Sequence, residues 1–398
     1  MTLRIALAKP DFGITGGFEF LMREVARALA DRGHEIVWLC PRTSDLVRPP
    51  FGLPAGLTNE AVPEFVQYLR LLDEFRELDL HRADMVISSQ PPSYGVQHDR
   101  QLSIFSHHQR RYYDLSDVLI EAGLVKNVEA HQIAASHLRA IDNQILPNVK
   151  LILATSEEVQ DRLRRFNGLE ANVRVFHAGL GFRSSAPELT GAEAYDNVLC
   201  VSRHEFPKRT ELFVQAMNLL PDLDGIAVGA GGRLGYAVDL DRRFARGELD
   251  PLTDSRALWC TDAPSLSPGL IPTRPGRVRF TGQATDDELD LLYRHALCVV
   301  APAFLEDYGL TAVEAMSFGK PLVVCRDGGN LINFVRDGEN GFVVEPSGPA
   351  IAAAVRELAA DPTRARAMGA AARETARSFT WKRGMQEITE GIDMVMSS

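Results

Sequence analysis

The sequence predicts an α/β protein built from two doubly wound domains, each a parallel sheet covered by helices, facing each other across a cleft. Two observations carry this. At 398 residues the chain exceeds what one hydrophobic core ordinarily organises, so two domains of roughly 150 to 200 residues are expected. Short apolar runs alternate with helix-period stretches through both halves, as in successive βαβ units.

Composition narrows the function. With 45% hydrophobic and 24% charged residues this is an ordinary globular chain. The formal charge of −10 argues against nucleic acid as a partner, since such binders gain affinity from clustered Lys and Arg. An anionic substrate must then be met by a local basic site. Cys40, Cys200, Cys260, Cys298 and Cys325 show no C-x-x-C spacing, which predicts free thiols in a reducing compartment. No apolar run of about 18 residues occurs, and no charged segment followed by an apolar one opens the chain. A cytoplasmic location is expected, with membrane contact at most peripheral. Neither internal repeats nor low-complexity tracts occur.

In the amino-terminal half, residues 3–8 read as a strand, and a loop from Gly13 to Gly16-Gly17 feeds a helix over 18–31. Gly33-His34-Glu35 stops that helix before a strand at 36–39. The glycines let backbone approach a ligand, although a Gly-Gly pair alone also makes a merely tight turn and is not the G-x-G-x-x-G dinucleotide pattern. Strands follow at 85–88 and 102–106, the second running into His107-His108-Gln109-Arg110-Arg111-Tyr112-Tyr113-Asp114. Neighbouring side chains at a strand end point to opposite sides, so at most one of the two histidines faces a ligand. Contact to a hydroxyl of a ligand and a packing role are both open. A long helical region spans 117–144 before Pro147, a strand at 151–155 leads to a helix bearing Val159, Leu163 and Phe166, and 173–176 completes the half. Residues 179–190, rich in Gly, Ser and Pro, read as the linker.

The second half starts with a strand at 198–202, the loop Arg203-His204-Glu205-Phe206-Pro207-Lys208-Arg209 and a helix at 210–220. Two cations five residues apart in such a loop can converge on a diphosphate, with a helix N-terminus behind them. A solvated basic turn is the competing reading. After a strand at 226–229, the proline-containing stretch 233–277 reads as an insertion or mobile loop. A strand at 278–281, the Gly282-Gln283 loop and a helix at 286–295 follow, and helices at 350–360 and 362–378 precede a segment bearing Trp381.

Residues 301–345 hold the densest set of candidate site residues. Glu306 lies just past the apolar strand Cys298-Val299-Val300, where open α/β sheets place ligands. Tyr308, Gly309 and Leu310 open a helix and offer free N–H groups at its positive end to an anion. Thr311 and Glu314 fit an S/T-x-x-E capping box, so Glu314 either caps that helix or serves the site.

Glu306 and Glu314, followed by Ala315-Met316, Gly319, Pro321, Gly328-Gly329 and Asp337-Gly338 with Gly341, resemble the E-x7-E motif of retaining glycosyltransferases of the family 4 type. The likeness runs over nearly the whole chain and departs at Asn333, where the family usually carries Glu, placing one loop contact in question. The resemblance implies the GT-B fold: a Rossmann-like acceptor-side domain over 1–182, a donor-binding domain over 183–380, and a segment 381–398 crossing back to the first domain. It implies transfer of a sugar from a nucleotide diphosphate sugar to the hydroxyl of a sugar, lipid-linked sugar or small molecule. Catalytic contacts would come from His107, Arg203, Lys208 and Glu306, and donor contacts from Gly16, Gly17, Gln283, Tyr308, Gly309, Leu310, Thr311 and Glu314. Arg111 would lie on the acceptor side. No cofactor beyond the donor co-substrate is expected, and no metal: the D-x-D triplets Asp222 to Asp224 and Asp239 to Asp241 fall in a turn and in the apparent insertion. The rival functions are a sugar-nucleotide epimerase or phosphorylase on the same architecture, and a non-catalytic nucleotide-sugar-binding subunit.

Overall fold

The structure, a computed structural model, describes residues 2–13, 16–179, 197–263 and 266–397. The chain divides into two compact units, Met1–Gly179 with Thr380–Ser398, and Leu180–Phe379. The predicted linker 179–190 lies outside the described residues apart from Gly179.

The first unit is a six-stranded parallel sheet of β1 (Arg4–Ala8), β2 (Glu35–Leu39), β3 (Met85–Ser88), β4 (Gln101–Phe105), β5 (Leu151–Ala154) and β6 (Val173–Val175), in the order β2-β1-β3-β4-β5-β6. The inner strands β3, β4 and β5 are buried at every residue, which explains why they read as mostly apolar runs without a regular polar face. The helix Gly17–Asp31 buries Leu21, Met22, Val25, Ala26 and Leu29. Where one helix was expected over 117–144 there are two, Ser116–Glu121 and Val128–Ile145. Gly123 adopts a left-handed φ of 71° after the first, and the Asn127 side chain accepts from Ala130 N to start the second.

The helix Pro63–Arg76 was not anticipated from the sequence. Its start carries no side-chain cap, only Pro at the first turn, yet it buries Phe65, Val66, Tyr68, Leu69, Leu71, Leu72 and Phe75. Tyr68 is also one of three hydroxyls that donate to the fully buried Asp142, at 2.5 Å, with Tyr94 at 2.7 Å and Tyr113 at 2.6 Å. Burial pushes the Asp142 carboxyl up to about 6, against the pull of those three donors.

The last helix, Trp381–Ser397, completes this first unit. Gly391 faces Leu102 and Leu151 so closely that an added Cβ would stand 2.9 and 3.0 Å from their methyl carbons. Glu387 accepts from His177 N at 2.8 Å and meets its ring Nδ1 at 2.8 Å.

The second unit repeats the plan with β7 (Asn197–Val201), β8 (Asp224–Val228), β9 (Val278–Gly282), β10 (Ala296–Ala301), β11 (Leu322–Cys325) and β12 (Gly341–Val344), ordered β12-β11-β10-β7-β8-β9 and parallel throughout. The chain winds outward from β7 through β8 to β9, then returns to β10 on the other side of β7. The carboxyl ends of β7 and β10 therefore flank the topological switch point, where such sheets bind ligands.

The stretch 233–277, expected as an insertion or mobile loop, carries regular structure among its described residues. It holds the helices Leu234–Ala245 and Ser255–Trp259, the first burying Leu234, Tyr236, Ala237, Val238, Leu240 and Phe244 and the second burying Trp259. Pro251, Pro268, Pro272 and Pro275 punctuate the connections, and the helical period before them was the overlooked signal.

Candidate active site

At the switch point of the second unit, Lys208 and Glu306 form an ion pair through Nζ and Oε2. Their side chains retain 22% and 15% of their exposure, so both remain reachable from solvent. Lys208 ends a 3-10 turn, Phe206–Lys208, after β7. The backbone around it is tied down: Phe304 N donates to Pro207 O at 2.7 Å and Trp259 Nε1 to Phe206 O at 2.6 Å. Arg203, the other cation of the predicted clamp, is exposed and makes no ion pair among the described residues.

Glu306 owes its position to the glycine pair after β11. Glu306 N donates to Gly328 O at 3.1 Å, Asn330 N donates to Glu306 O at 2.9 Å, and Leu305 N donates to Asp327 O at 2.9 Å. Gly329 has φ 61°, and a Cβ there would stand 2.6 Å from both Glu306 N and Glu306 O. Only glycine fits this contact.

Gly309, with φ 90°, is the N-cap of the helix Leu310–Ser317, and no side chain caps it. Thr311 and Glu314 thus lie inside the helix, which removes the capping-box reading of Glu314. The Glu314 carboxylate accepts instead from Tyr293 OH at 3.4 Å, as does Thr311 O at 3.4 Å. Tyr308 packs edge-on against Phe334, and its carbonyl accepts from Asn330 Nδ2 at 2.9 Å. Asn333, the departure from the family pattern, donates to Asn330 Oδ1 at 3.1 Å. The two asparagines form a relay that supports the Tyr308 carbonyl. Gln283 is exposed in the connection between β9 and the helix Asp286–His295.

Sequence reasoning missed Arg209. It is 1% exposed and spans three loops: Nε donates to Pro302 O at 2.6 Å, Nη2 to Ala303 O at 3.0 Å, and Nη1 and Nη2 to Asp327 at 2.9 and 2.5 Å. A basic residue beside Lys208 gives no local sign that it is buried. His204, between the clamp cations, is also buried; its Nδ1 meets Thr210 Oγ1 at 2.8 Å, and burial pulls its pKa down to about 4.

Three of the four D-x-D aspartates, Asp224, Asp239 and Asp241, are engaged elsewhere. Asp224 pairs with Arg274, Asp239 with Arg242 at 3.3 Å, and the buried Asp241 accepts from Asn218 Nδ2 at 2.9 Å and from Arg277 N and Val278 N at 3.1 Å.

In the first unit, Gly16 N donates to Glu19 Oε2 at 2.9 Å, and Glu19 lies 3.7 Å from Lys9 Nζ, so the Gly16-Gly17 turn is anchored from within its own helix. Of the two histidines after β4, His108 is the packed one. It has no exposed surface, meets Asn167 Oδ1 at 2.7 Å and sits among Phe105, Tyr113 and Phe166, and burial pulls its pKa down to about 4. His107 is half-buried, with Nδ1 2.6 Å from His108 O. Arg111 donates to Leu124 O at 2.9 Å and lies 3.5 Å from Glu64. No group of three or more potential metal-ligating side chains occurs among the described residues, and no helix among them is long and apolar enough to cross a membrane.

Comparison with known proteins addresses the family and the fold. Residues 15–180 match the model Glycosyltransferase Family 4, and residues 275–375 match Glycosyl transferases group 1. A D-inositol 3-phosphate glycosyltransferase of Corynebacterium diphtheriae is 27% identical across 98% of this chain and 94% of its own. That of Catenulispora acidiphila is 26% identical across 96% and 91%. Among solved structures, sucrose-phosphate synthase from Thermosynechococcus elongatus superposes with a TM-score of 0.68 at 20% identity, covering 98% of both chains. The Anabaena protein HepE in complex with UDP and glucose superposes at 0.63 and 16%, covering 98% of this chain and 99% of its own. The chain is a GT-B-fold enzyme that uses a nucleotide-sugar donor, and it belongs to the glycosyltransferases of the family 4 type.

Proposed function

We propose that this glycosyltransferase moves its sugar with retention of anomeric configuration, without a divalent metal, onto a hydroxyl of a polyol phosphate. The observation that carries the reading is the Lys208–Glu306 pair. It joins the predicted phosphate clamp after β7 to the first glutamate of the E-x7-E motif after β10, at the switch point of the sheet.

The chemistry follows from the charges. The bond between the donor's C1 and the β-phosphate oxygen breaks, a bond from C1 to the acceptor oxygen forms on the same face, and the acceptor proton passes to the departing phosphate. Negative charge grows on that phosphate as the bond lengthens. Lys208, Arg203 and the backbone N–H groups at Gly309 and Leu310 stabilise it most at the transition state, which is where binding lowers the barrier. Glu306 then exchanges its ammonium partner for the donor sugar's hydroxyls, and Glu314 takes the ribose hydroxyls. Gly16 and Gly17 add donor contacts, His107 a catalytic contact, and Arg111 the acceptor side. Two side-chain cations and the helix N-terminus provide the positive charge that a metal would otherwise bring, while Asp224, Asp239 and Asp241 of the D-x-D triplets are committed to Arg274, Arg242 and the backbone before β9.

D-inositol 3-phosphate, named for the relatives, is the first acceptor to test. Purified protein is incubated with UDP-, GDP-, ADP- and dTDP-sugars, with and without it, and the product's anomeric proton coupling is read by NMR. Retained configuration with acceptor-dependent nucleotide release supports the proposal. Inverted product, or an altered nucleotide sugar formed without acceptor, overturns it.

A further inference from the structure

Two backbone observations bracket the Lys208–Glu306 pair. Among the described residues, the non-glycine positions with left-handed φ are Arg209 at 50° and Leu305 at 49°. One directly follows Lys208 and the other directly precedes Glu306. Such conformations are disfavoured for residues with a Cβ and persist where the surroundings over-determine them. Glycine would adopt the backbone of position 209 without strain, so the arginine must be explained by its side chain.

That side chain reaches every loop that matters for the pair. Four of its bonds end on Pro302, Ala303 and Asp327: the first two lead from β10 to Glu306, and Asp327 precedes the Gly328-Gly329 pair on which Glu306 rests. The guanidinium also lies against aromatic faces, 5.1 Å from the Trp259 ring and 5.4 Å from that of Phe304. Trp259 Nε1 in turn donates to Phe206 O in the Lys208 turn. A planar fork with fixed donor directions locks two loops at one distance; a lysine ammonium on its flexible stem does not.

We propose that Arg209 is a positioning residue for sugar transfer, fixing the separation of Lys208 from Glu306 by binding the two loops that carry them. The inference rests on the donor-phosphate reading of Lys208. Arg209 touches no substrate in this role; it presets the geometry into which the diphosphate enters.

Arg209→Gly tests it most directly, because the backbone conformation is kept and only the side chain is lost. Asp327→Asn removes the anionic anchor and serves if the glycine variant folds poorly. The first measurement is independent of activity. Lysines are reductively methylated with 13C-formaldehyde, the Lys208 NMR signal is assigned by its loss in Lys208→Arg, and its shift is compared between wild type and variants. The second is kcat and KM for whichever of UDP-, GDP-, ADP- and dTDP-glucose the wild type turns over fastest. Both variants should move the Lys208 signal toward that of exposed lysines and lower kcat, by about 10²-fold for the glycine variant given the cost of an ångström of misplacement. Donor KM should change far less, Arg209→Lys should restore little, and added millimolar guanidinium should restore part of the Arg209→Gly kcat. An unchanged Lys208 signal and unchanged kcat in both variants would overturn the proposal. If the wild type turns over no nucleotide sugar, the donor reading falls, while the NMR comparison still decides whether Arg209 positions Lys208.

Discussion

Lys208 and Glu306 stand 98 residues apart in sequence and meet as an ion pair beyond the carboxyl ends of β7 and β10. The pair is partly solvated, so its contribution to folding is small, under about 1 kcal/mol. In the proposed reaction its value lies in placing a cation and a carboxylate where the donor's sugar and phosphate would meet.

Lys208→Ala and Glu306→Gln should therefore separate activity from stability. Each is expected to lower donor turnover by about 10²- to 10³-fold, the usual cost of losing one transition-state contact of this kind. Denaturant midpoints should hardly move. Nucleotide release and chemical denaturation of the same preparations check both statements.

Glu314→Gln is expected to leave stability within about 0.5 kcal/mol of wild type, as for changes away from buried features, since Gly309 and not Thr311 caps the helix. Affinity for the nucleoside diphosphate should fall roughly tenfold, matching loss of a charge-assisted hydrogen bond worth about 1.5 kcal/mol. Calorimetric titration of both proteins measures it; equal affinities would return Glu314 to a structural role.

Gly329→Ala tests the support beneath Glu306. The new Cβ would meet the Glu306 backbone at 2.6 Å in a left-handed conformation, costing about 1–3 kcal/mol. Loss of turnover should accompany the lower unfolding midpoint, because the strand-end loop carrying Glu306 must shift.

In the first unit, Asp142 and His108 impose opposite pH dependences. Burial raises the Asp142 carboxyl to about 6, so between about pH 4 and 6 the folded state holds a proton that the unfolded state has released, and stability falls as pH rises. His108 is depressed to about 4; across about pH 4 to 6.5 the unfolded state holds the extra proton, and stability rises with pH. Each amounts to about 3 kcal/mol and they largely offset. Asp142→Asn should expose the histidine alone, giving protection that climbs with pH over this window in hydrogen exchange of β4 and β5 amides. A slope unchanged from wild type would contradict the assignment of Asp142.

Exhaustive treatment with EDTA should leave turnover unchanged. Loss of activity restored by magnesium or manganese would overturn the role given to Arg203 and Lys208 as the counter-charge to the diphosphate.

The alternation of strands and helices was legible in the sequence because strands buried on both faces are mostly apolar, as β3, β4 and β5 are apart from Ser88, Gln101 and Ser103. The spacing of Glu306 and Glu314 and the glycine punctuation around them were legible too, since a left-handed turn such as Gly309 or Gly329 constrains the residue type at its own position. Tertiary structure alone decided what those residues do to one another. Whether Glu314 capped a helix depended on where the helix began, and that was set at Gly309, where a Cβ would strike Leu331 at 2.5 Å. Whether 233–277 was mobile depended on Trp259 finding the Phe206 carbonyl and the Arg209 guanidinium. Arg209 itself looked like a surface cation because charge is written in the sequence, while desolvation and partners contributed by residues 93 to 118 positions away are not.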